Sequence, residues 1–411
     1  MALDSYPHAQ LPAYLSPWET LDTDPRTAHL VDLPWRHFEQ YLAARGYTLC
    51  WRYYSRTQPE TPFRPRAFYY PLAKDAFRPR AGEGFVLLCG LEDEDAERAG
   101  GIHQTTGWMT QAATLKMAYD AQDRVCALKA LNNTRSASEL DILTYLNSPH
   151  LRADPTNHTI PLLDKLVTKE WTFAAMPYWP RSVQACIPWE VDDYFQRLEQ
   201  ALEGLAFMHR HGVVHRDISP TNVLLNMHTP AGARDVYTPL TRLRVKLGFI
   251  DFGCAKRFPV SDAWSDTKLE REMQEWVGTG YCGTGEHVAP EVGKGARYRL
   301  TPVDVYALGS VFLRALSWEQ LHCATFGNPG GLQLSAHQVL TANSHKEGFG
   351  YLALLDQMTH PDPMQRPSAA TALQRCRALR QALDPTVRWA PAGGYSREVM
   401  EEREGGRMVG R

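Results

Sequence analysis

The chain has 411 residues, of which 44% are hydrophobic and 22% are charged, as in ordinary soluble proteins. Its length exceeds that of a small domain and suits a two-lobed globule of roughly 250 to 300 residues with extensions. The formal net charge of -2 gives no overall basic field, which argues against binding to nucleic acid or to an anionic membrane.

The first part of the chain, residues 1–103, is predicted to be an N-terminal extension that is only partly ordered. Within it, apolar residues at helical spacing, among them Phe38 and Tyr41, predict an amphipathic helix. Gly46 is expected to end this helix, and the residues from 47 to 54 have the composition of a strand.

Residues 104–178 have a strand-rich pattern with one helix. Two alternating segments flank the turn-forming residues 120–123 and predict a β-hairpin. A helix is predicted from Ser136 to Asn147, because its leucines recur on one face. Two further strands are predicted at 160–166 and 171–176.

From residue 190 onward the pattern is mostly helical. A first amphipathic helix is expected to end before Gly212, a residue that commonly follows the C-terminus of a helix. Further helices are predicted at 302–317, 350–359 and 368–383. The tail, residues 384–411, is rich in Gly, Arg and Glu and is expected to be flexible.

The strongest chemical signal is the segment His215-Arg216-Asp217-Ile-Ser-Pro-Thr-Asn222, which is followed by an apolar strand. Phosphoryl transfer needs a carboxylate near the attacking hydroxyl and an oxygen ligand for a magnesium ion. An aspartate and an asparagine separated by four residues on one loop can supply both. The segment resembles the catalytic loop of the eukaryotic protein kinase family, H-R-D-x-x-x-x-N.

Three further motifs match that family in the expected order. The resemblance implies that Asp217 accepts the proton of the substrate hydroxyl, and that Asn222 and Asp251, the latter in Asp-Phe-Gly, bind magnesium. It also implies that Lys129, at the end of Val-Cys-Ala-Leu-Lys, holds the α- and β-phosphates of ATP. Glu139 is then the helix glutamate that pairs with this lysine; the alternative is a glutamate placed in the first helical turn by the helix dipole.

Later motifs of the family are also present. Ala289-Pro290-Glu291 matches A-P-E, and Asp362 to Pro367 resembles the late D-P-x-x-R-P element. The resemblance implies a buried ion pair between Glu291 and Arg366. Thr284, in the Gly-Thr that precedes A-P-E, resembles the form of this segment found in serine/threonine kinases.

The strand near residue 176 is followed by the predicted hinge, where the resemblance places adenine against Met176 and the backbone of Trp179. The glycine-rich loop G-x-G-x-x-G is missing, and Gly107 is the one glycine left at the place obtained by counting back from Lys129. Backbone amides must approach phosphates closely there, so weaker ATP binding or turnover is expected. Ser219 replaces the lysine that most serine/threonine kinases have at this position.

The resemblance therefore predicts an α+β, two-lobed protein-kinase-like fold over residues 104–383. The small, β-rich N-lobe is expected at about 104–178, and the large, mostly helical C-lobe at about 179–383. The sequences HRDIS and MPYW also resemble those of a narrower group. This group consists of fungal-specific protein-kinase-like proteins of the type expanded in mushroom-forming fungi.

The predicted function is that of an ATP- and Mg²⁺-dependent protein kinase that phosphorylates a protein hydroxyl, with Ser/Thr favoured. One alternative is a pseudokinase that acts as a nucleotide-binding or scaffolding module. Another is a small-molecule phosphotransferase, which generally lacks the set formed by Arg216, the Ala-Pro-Glu segment and Arg366.

The expected compartment is inferred from the absence of targeting and membrane-spanning patterns in the given sequence. There is no basic and apolar start typical of a secretory signal, and no apolar run of about eighteen residues. The eight cysteines are scattered without a C-x-x-C pair, which favours free thiols in a reducing compartment. These observations predict an intracellular protein, cytoplasmic and/or nuclear, whose partner is a protein substrate and neither nucleic acid nor a membrane.

Overall fold

The computed structural model describes residues 28–49, 113–122, 124–179, 181–183, 190–226, 245–261, 265–325 and 350–389. They belong to two compact units. The first unit contains α1 (Ala28–Ala43), β1 (Thr48–Leu49), β2 (Leu115–Tyr119), β3 (Val125–Asn132), α2 (Ala137–Leu146), α3 (Pro149–Arg152), β4 (Asp164–Val167) and β5 (Trp171–Pro177).

The second unit is mostly helical. Its elements are β6 (Arg181–Ser182), α4 (Val191–Arg210), β7 (Val213–Val214), β8 (Val223–Leu225), β9 (Leu247–Phe249), β10 (Lys256–Arg257), α5 (Asp266–Glu275), β11 (Val277–Gly278), β12 (Tyr298–Arg299), α6 (Leu300–Thr325), α7 (Tyr351–Met358), α8 (Ala369–Ala382) and α9 (Pro385–Arg388). The helices predicted at 136–147, 350–359 and 368–383 are confirmed within one residue at each end, whereas the helix predicted at 302–317 extends to Thr325. Helix α9 lies within the tail that the sequence predicts to be flexible. Helix α5 was not predicted from the sequence. None of the helices in the described ranges is both long and apolar enough to cross a membrane.

The first unit is built on a five-stranded antiparallel sheet with the order β1-β2-β3-β5-β4. The predicted hairpin between β2 and β3 is confirmed. Its turn is closed by the carboxylate of Asp120, which accepts hydrogen bonds from the backbone N–H groups of Gln122 and Arg124 at 2.9 and 2.8 Å. This Asx-type bond is a common means of stabilising a tight turn.

Helix α1 covers one face of this sheet with aromatic side chains. Trp35, Phe38 and Tyr41 are almost completely buried, and the centroids of their rings lie 5.7, 5.1 and 6.2 Å from that of Phe173 on β5. Lys129 pairs with Ala174, the next residue along β5, and successive strand residues point to opposite faces. Helix α1 therefore packs on the face opposite to the side chain of Lys129.

Two polar side chains of α1 also bind the sheet region. The indole N–H of Trp35 donates to the carbonyl oxygen of Ala113 at 2.9 Å, and the hydroxyl of Tyr41 donates to that of Val167 at 2.8 Å. Because both buried rings have a hydrogen-bond partner, their burial carries no unpaired donor. The predicted division of the chain at residue 103 stays a prediction, but α1 and β1 share the core of the sheet.

Gly212 determines how the chain leaves α4 and enters the segment that carries the predicted catalytic loop. Its φ angle is +76°, in the left-handed region that glycine adopts without strain. A Cβ atom here would lie 2.2 Å from the carbonyl oxygen of Phe258, whose N–H in turn donates to the oxygen of Gly212 at 2.7 Å. Only glycine permits this close approach, which places β7 beside β10.

Ion pairs connect the two C-terminal helices to α4. The fully buried carboxylate of Asp192 accepts hydrogen bonds from Arg380 at 2.8 and 2.7 Å and from Arg388 at 2.7 Å. Burial alone would raise the pKa of Asp192, but the two guanidinium groups outweigh it and hold this pKa below its ordinary value of 3.8.

A pH-dependent contribution to stability follows from this pair of arginines. A carboxyl group whose pKa is lowered by folding stabilises the protein above its unfolded pKa, and this stabilisation is lost as the pH falls through the folded pKa. We expect the free energy of unfolding to fall below about pH 4, and to fall less steeply in Asp192→Asn. Urea unfolding between about pH 3 and pH 7 measures both slopes. The exposed Asp356→Asn should keep the wild-type slope; equal slopes in all three proteins would contradict the assignment.

Candidate active site

A buried carboxylate of α6 fixes the backbone of the predicted catalytic loop. Asp304 is fully buried and accepts the backbone N–H groups of His215 at 2.8 Å and of Arg216 at 2.7 Å. The same carboxylate bonds the Nε2 atom of His209 at 3.0 Å. Arg216 has a φ angle of +67°, a costly conformation for a residue with a side chain. The two hydrogen bonds that the backbone N–H groups donate to Asp304 hold the loop in this strained form.

Asp217, the predicted catalytic carboxylate, is held from two sides. The hydroxyl of Thr284 donates to its Oδ1 at 2.6 Å, and the amide nitrogen of Asn222 donates to its Oδ2 at 3.1 Å and to its backbone oxygen at 2.9 Å. The residue is partly exposed, so solvent and a substrate can reach it. A carboxylate that is oriented in this way can accept a proton without a large reorganisation.

Asn222 and Asp251 lie at the same end of the β8–β9 pair. Val223 is paired with Phe249, and the N–H of Ile250 donates to the carbonyl oxygen of Asn222 at 3.0 Å. Asp251 is exposed and has a φ angle of +63°, and its Oδ1 accepts the N–H of Gly253 at 3.2 Å. The structure thus brings together three predicted site residues, Asp217, Asn222 and Asp251.

The oxygen atoms of Asn222 and Asp251 fit a magnesium ion whose other ligands are phosphate and water. The amide nitrogen of Asn222 is bonded to Asp217, which leaves its amide oxygen as the ligand atom, and Asp251 supplies carboxylate oxygen. Mg²⁺ prefers such hard oxygen ligands and usually takes one or two from the protein. Among the described residues, there is no group of three or more His, Cys, Asp or Glu side chains that could hold a metal ion by themselves.

His215 connects the loop to the strand that leads to Asp251. Its Nε2 atom lies 2.9 Å from the carbonyl oxygen of Ile250, and its Nδ1 atom accepts the N–H of Asp217 at 3.3 Å. These partners assign the proton to Nε2. The ring centroid lies 5.2 Å from that of Phe252. His215 and Phe252 therefore align the segments that carry the two aspartates.

In the first unit the predicted ion pair is formed. The Nζ atom of Lys129 on β3 lies 2.5 Å from a carboxylate oxygen of Glu139 on α2, and both side chains are mostly buried. Glu139 does lie in the first turn of α2, so its place in the helix and its pairing with the lysine are compatible. The pair fixes the ammonium group on the sheet face opposite to α1.

Of the three other residues predicted to bind ATP, the structure describes two. Met176 is buried on β5, where it pairs with Ala127, and Trp179 is buried just after that strand. Gly107 lies outside the described residues. β1 and β2 are sheet neighbours, and residues 50–114 connect them. The sequence pattern does not predict such a long connection between paired strands.

Ser219 does not offer a free hydroxyl in place of the family's lysine. It is completely buried, and its Oγ atom lies 2.9 Å from the hydroxyl of Thr221. The hydroxyl of Ser219 is therefore engaged within the loop.

The predicted pair of Glu291 and Arg366 is confirmed. Two nitrogens of Arg366 donate to the two carboxylate oxygens of Glu291 at 2.7 and 2.8 Å, in the bidentate geometry that arginine favours. The guanidinium also donates to the carbonyl oxygens of Pro302, His360 and Pro361. Its side chain has no exposed surface.

Two functional contacts were missed in the sequence. Asp304 lies near the start of an apolar helix that the sequence predicts, but the pattern does not indicate its bonds to the catalytic loop. Thr284 was used only as a sign of substrate type, although its hydroxyl contacts Asp217 directly. Both residues lie in recognised motifs, so the signal was present, but the motif spacing does not say which atoms meet.

Comparison with known proteins identifies the family of this chain. A family model described as a protein kinase domain matches residues 110–376. Because the match covers more than half of the chain, the protein belongs to the protein kinase family, and the predicted α+β, two-lobed fold class is confirmed. The residues of α1 and β1 lie before the matched range.

Individual relatives are more distant. The eIF-2-alpha kinase GCN2 of Arabidopsis thaliana is 26% identical over 230 residues, 52% of this chain and 16% of the relative. The serine/threonine-protein kinase PkaB of Streptomyces coelicolor is 35% identical over 28% of this chain and 22% of the relative. The serine/threonine-protein kinase CHK1 of Mycosarcoma maydis is 30% identical over 42% of this chain and 22% of the relative. The matches thus span less than a quarter of each of these relatives.

Proposed function

We propose that this protein kinase family member uses ATP and Mg²⁺ to phosphorylate serine or threonine hydroxyls of a protein substrate. The observation that carries the proposal is the carboxylate of Asp217, which is partly exposed and oriented by hydrogen bonds from Asn222 and Thr284. A substrate hydroxyl needs such an acceptor when it attacks a phosphoryl group.

Each polar residue of the second unit has a distinct role in this proposal. Asp217 binds the attacking hydroxyl, orients it and accepts its proton. Asn222 and Asp251 present oxygen ligands for the magnesium ion, which when bound reduces the negative charge of the phosphates. The strained Arg216 and the buried Asp304 keep the loop in place, so that these oxygens need not reorganise.

The first unit contributes the cation for the phosphates. Lys129 contacts the α- and β-phosphates of ATP, and Glu139 holds its ammonium group in position. Met176 and the backbone of Trp179 bind adenine, and Gly107 binds the cofactor as the one glycine left at the place of the glycine-rich loop. This part of the proposal rests on the family resemblance and on the Lys129–Glu139 pair.

Serine and threonine are favoured as acceptors by two findings. The hydroxyl of Thr284 lies on the catalytic carboxylate, and two of the relatives named above are described as serine/threonine-protein kinases. We also propose that the protein belongs with the fungal-specific protein-kinase-like proteins, because of the sequences of its HRDIS and MPYW segments.

A pseudokinase is the second candidate function, because Ser219 replaces the lysine and its hydroxyl is bound within the loop. A protein of this kind can keep its motif residues for folding and bind nucleotide without turnover. Binding of ATP does not separate the two candidates, whereas transfer of phosphate does.

The test is phosphate incorporation from γ-labelled ATP and Mg²⁺ into a mixed protein substrate. We expect incorporation by the wild type, and a loss of roughly 10²- to 10⁴-fold in Asp217→Asn, since this change removes the proton acceptor and keeps the shape. Asp356→Asn changes an exposed aspartate on α7 and should behave as the wild type. Phosphoamino-acid analysis identifies the acceptor. No transfer by folded wild-type protein would favour the pseudokinase.

The contact between Thr284 and Asp217 predicts a smaller but separate effect. A hydrogen bond to a charged group contributes about 1.5 to 3 kcal/mol, so Thr284→Ala should slow phosphate transfer by roughly 10- to 100-fold. Thr284→Ser keeps the hydroxyl and should retain most of the rate. Steady-state rates of the three proteins decide the point; if the alanine and serine variants are equally slow, the hydroxyl is not the important group.

A further inference from the structure

Two thiols of the second unit are in contact beside the candidate active site. Cys254 directly follows the Asp-Phe-Gly segment, and Cys282 lies two residues before Thr284. Both cysteines are partly exposed and lie beside Arg216, whose side chain bonds the backbone of Cys254 and whose carbonyl oxygen packs against Gly283, the residue after Cys282. In this arrangement the two thiols interact with each other. They belong to opposite ends of residues 254–282, the segment between the magnesium-binding motif and the threonine on Asp217.

The surroundings favour a negative charge on one of the two sulfurs. Arg216 donates to the carbonyl oxygen of Cys254 at 3.1 Å, and its positive charge acts on both thiols. The hydrogen bond from Cys254 lowers the pKa of Cys282 to about 7, and Arg216 and the N–H of Gly283 add to this, against burial and Asp217. The same hydrogen bond raises the pKa of Cys254, so Cys254 keeps its proton.

We propose that Cys254 and Cys282 form an oxidant-sensitive site, at which hydrogen peroxide joins the two ends of segment 254–282 by a disulfide. The proposal stands on the position of both cysteines beside Arg216 and on their exposure, and the interaction of the two thiols supports it. It is a property of the second unit alone.

The chemistry is balanced by peroxide as the two-electron oxidant. The Cys282 thiolate attacks one oxygen of peroxide, the O–O bond breaks, and the leaving hydroxide takes up the proton that Cys282 released and becomes water. The Cys254 sulfur then attacks the resulting sulfenic acid, its S–O bond breaks, and hydroxide leaves with the Cys254 proton as a second water. The thiols lose two electrons and two protons in total.

Formation of the bond should disturb the active site. A disulfide brings the two sulfurs to about 2.05 Å, much closer than hydrogen-bonded thiols. This approach moves Cys282, and Thr284 on Asp217 is only two residues away. A displacement of about 1 Å near the reacting groups can cost roughly a hundredfold in rate. We therefore expect oxidation to slow phosphate transfer roughly tenfold or more, and dithiothreitol to restore it. This consequence rests on the proposed function.

Two other cysteines in the described residues serve as internal controls. Cys126 and Cys376 are fully buried, and burial raises the pKa of the Cys376 thiol. Buried thiols without thiolate character react slowly with peroxide. They should remain reduced under conditions that join Cys254 to Cys282.

The decisive experiment locates the bond and needs no enzyme assay. Reduced full-length protein is treated with increasing hydrogen peroxide, the remaining thiols are alkylated, and trypsin peptides are analysed without reduction. Cleavage after Lys and Arg gives peptides 247–256 and 272–294, each with one cysteine. We expect these two peptides to appear linked, before Cys126 or Cys376 is modified, and to separate with dithiothreitol.

Single variants assign the order of the two steps. Cys254→Ser should leave a sulfenic acid on Cys282 that reacts with dimedone, and Cys282→Ser should give neither the link nor the adduct. If the wild-type peptides do not link while Cys282 stays open to alkylation, the proposal is overturned. A link that forms without any change in transfer rate overturns the inhibitory consequence. A link in a protein that transfers no phosphate in either state contradicts the proposed function and leaves the oxidation site intact.

Discussion

Replacement of Arg366 by methionine is expected to lower the free energy of unfolding by about 3 to 5 kcal/mol, the usual cost of breaking a buried ion pair from one side. The side chain has no exposed surface and binds both carboxylate oxygens of Glu291. Methionine fills similar volume but leaves this carboxylate without its partner. The carbonyl oxygens of Pro302, His360 and Pro361 also lose a donor.

Thermal unfolding measures the effect of Arg366→Met directly. At about 2 to 4 °C per kcal/mol for a domain of this size, the midpoint should fall by about 6 to 20 °C. The matched control is Arg375→Met on α8, because Arg375 is exposed and bonds the side chain of Gln357. The control should stay close to the wild type, as exposed contacts contribute little. A fall no larger than that of the control would show that the buried pair is not a major source of stability.

The second large effect is expected at α1. Trp35 has no exposed surface, packs on Phe173 and donates to the oxygen of Ala113. Trp35→Ala should therefore cost about 3 to 5 kcal/mol, as for other large aromatic side chains removed from a core. Gln40→Ala on the exposed side of the same helix is the control. Urea unfolding of both variants measures the difference.

Truncation gives a second view of the same feature. Removal of the residues before 47 takes α1 away and exposes the aromatic face of the sheet, including Phe173. We expect this protein to unfold at a lower urea concentration than Trp35→Ala, or to aggregate, because a large apolar surface becomes exposed. If the truncated protein were as stable as the full chain, the sheet would not depend on α1.

The sequence predicts those parts of the fold and site that depend on local pattern or on fixed spacing. The hairpin around Asp120, helix α2 and the loop that holds Asp217 and Asn222 follow from periodicity, turn residues and a short motif. The Glu291–Arg366 pair follows from the family resemblance, which implies an ion pair between two motifs that are far apart in the sequence. In each case the predicted residues meet in the structure.

Other features depend on non-local contacts that no short pattern encodes. The helix of α1 was predicted, but its packing on Phe173 was not, because the two are separated by most of the first unit. The contact between Cys254 and Cys282 depends on how the segment between them returns to the catalytic loop. The bond between the hydroxyls of Ser219 and Thr221 depends on a local turn that residue type alone does not specify.

The separation of β1 from β2 along the chain has a consequence for the order in which the sheet assembles. β2 and β3 are joined by a short turn, and their pairing costs little loop entropy. β1 must close the connection formed by residues 50–114 before its first hydrogen bond to β2 is made. Pairing over such a distance raises contact order and slows folding. We expect the central strands to form first, and α1 and β1 to dock onto them in the last step.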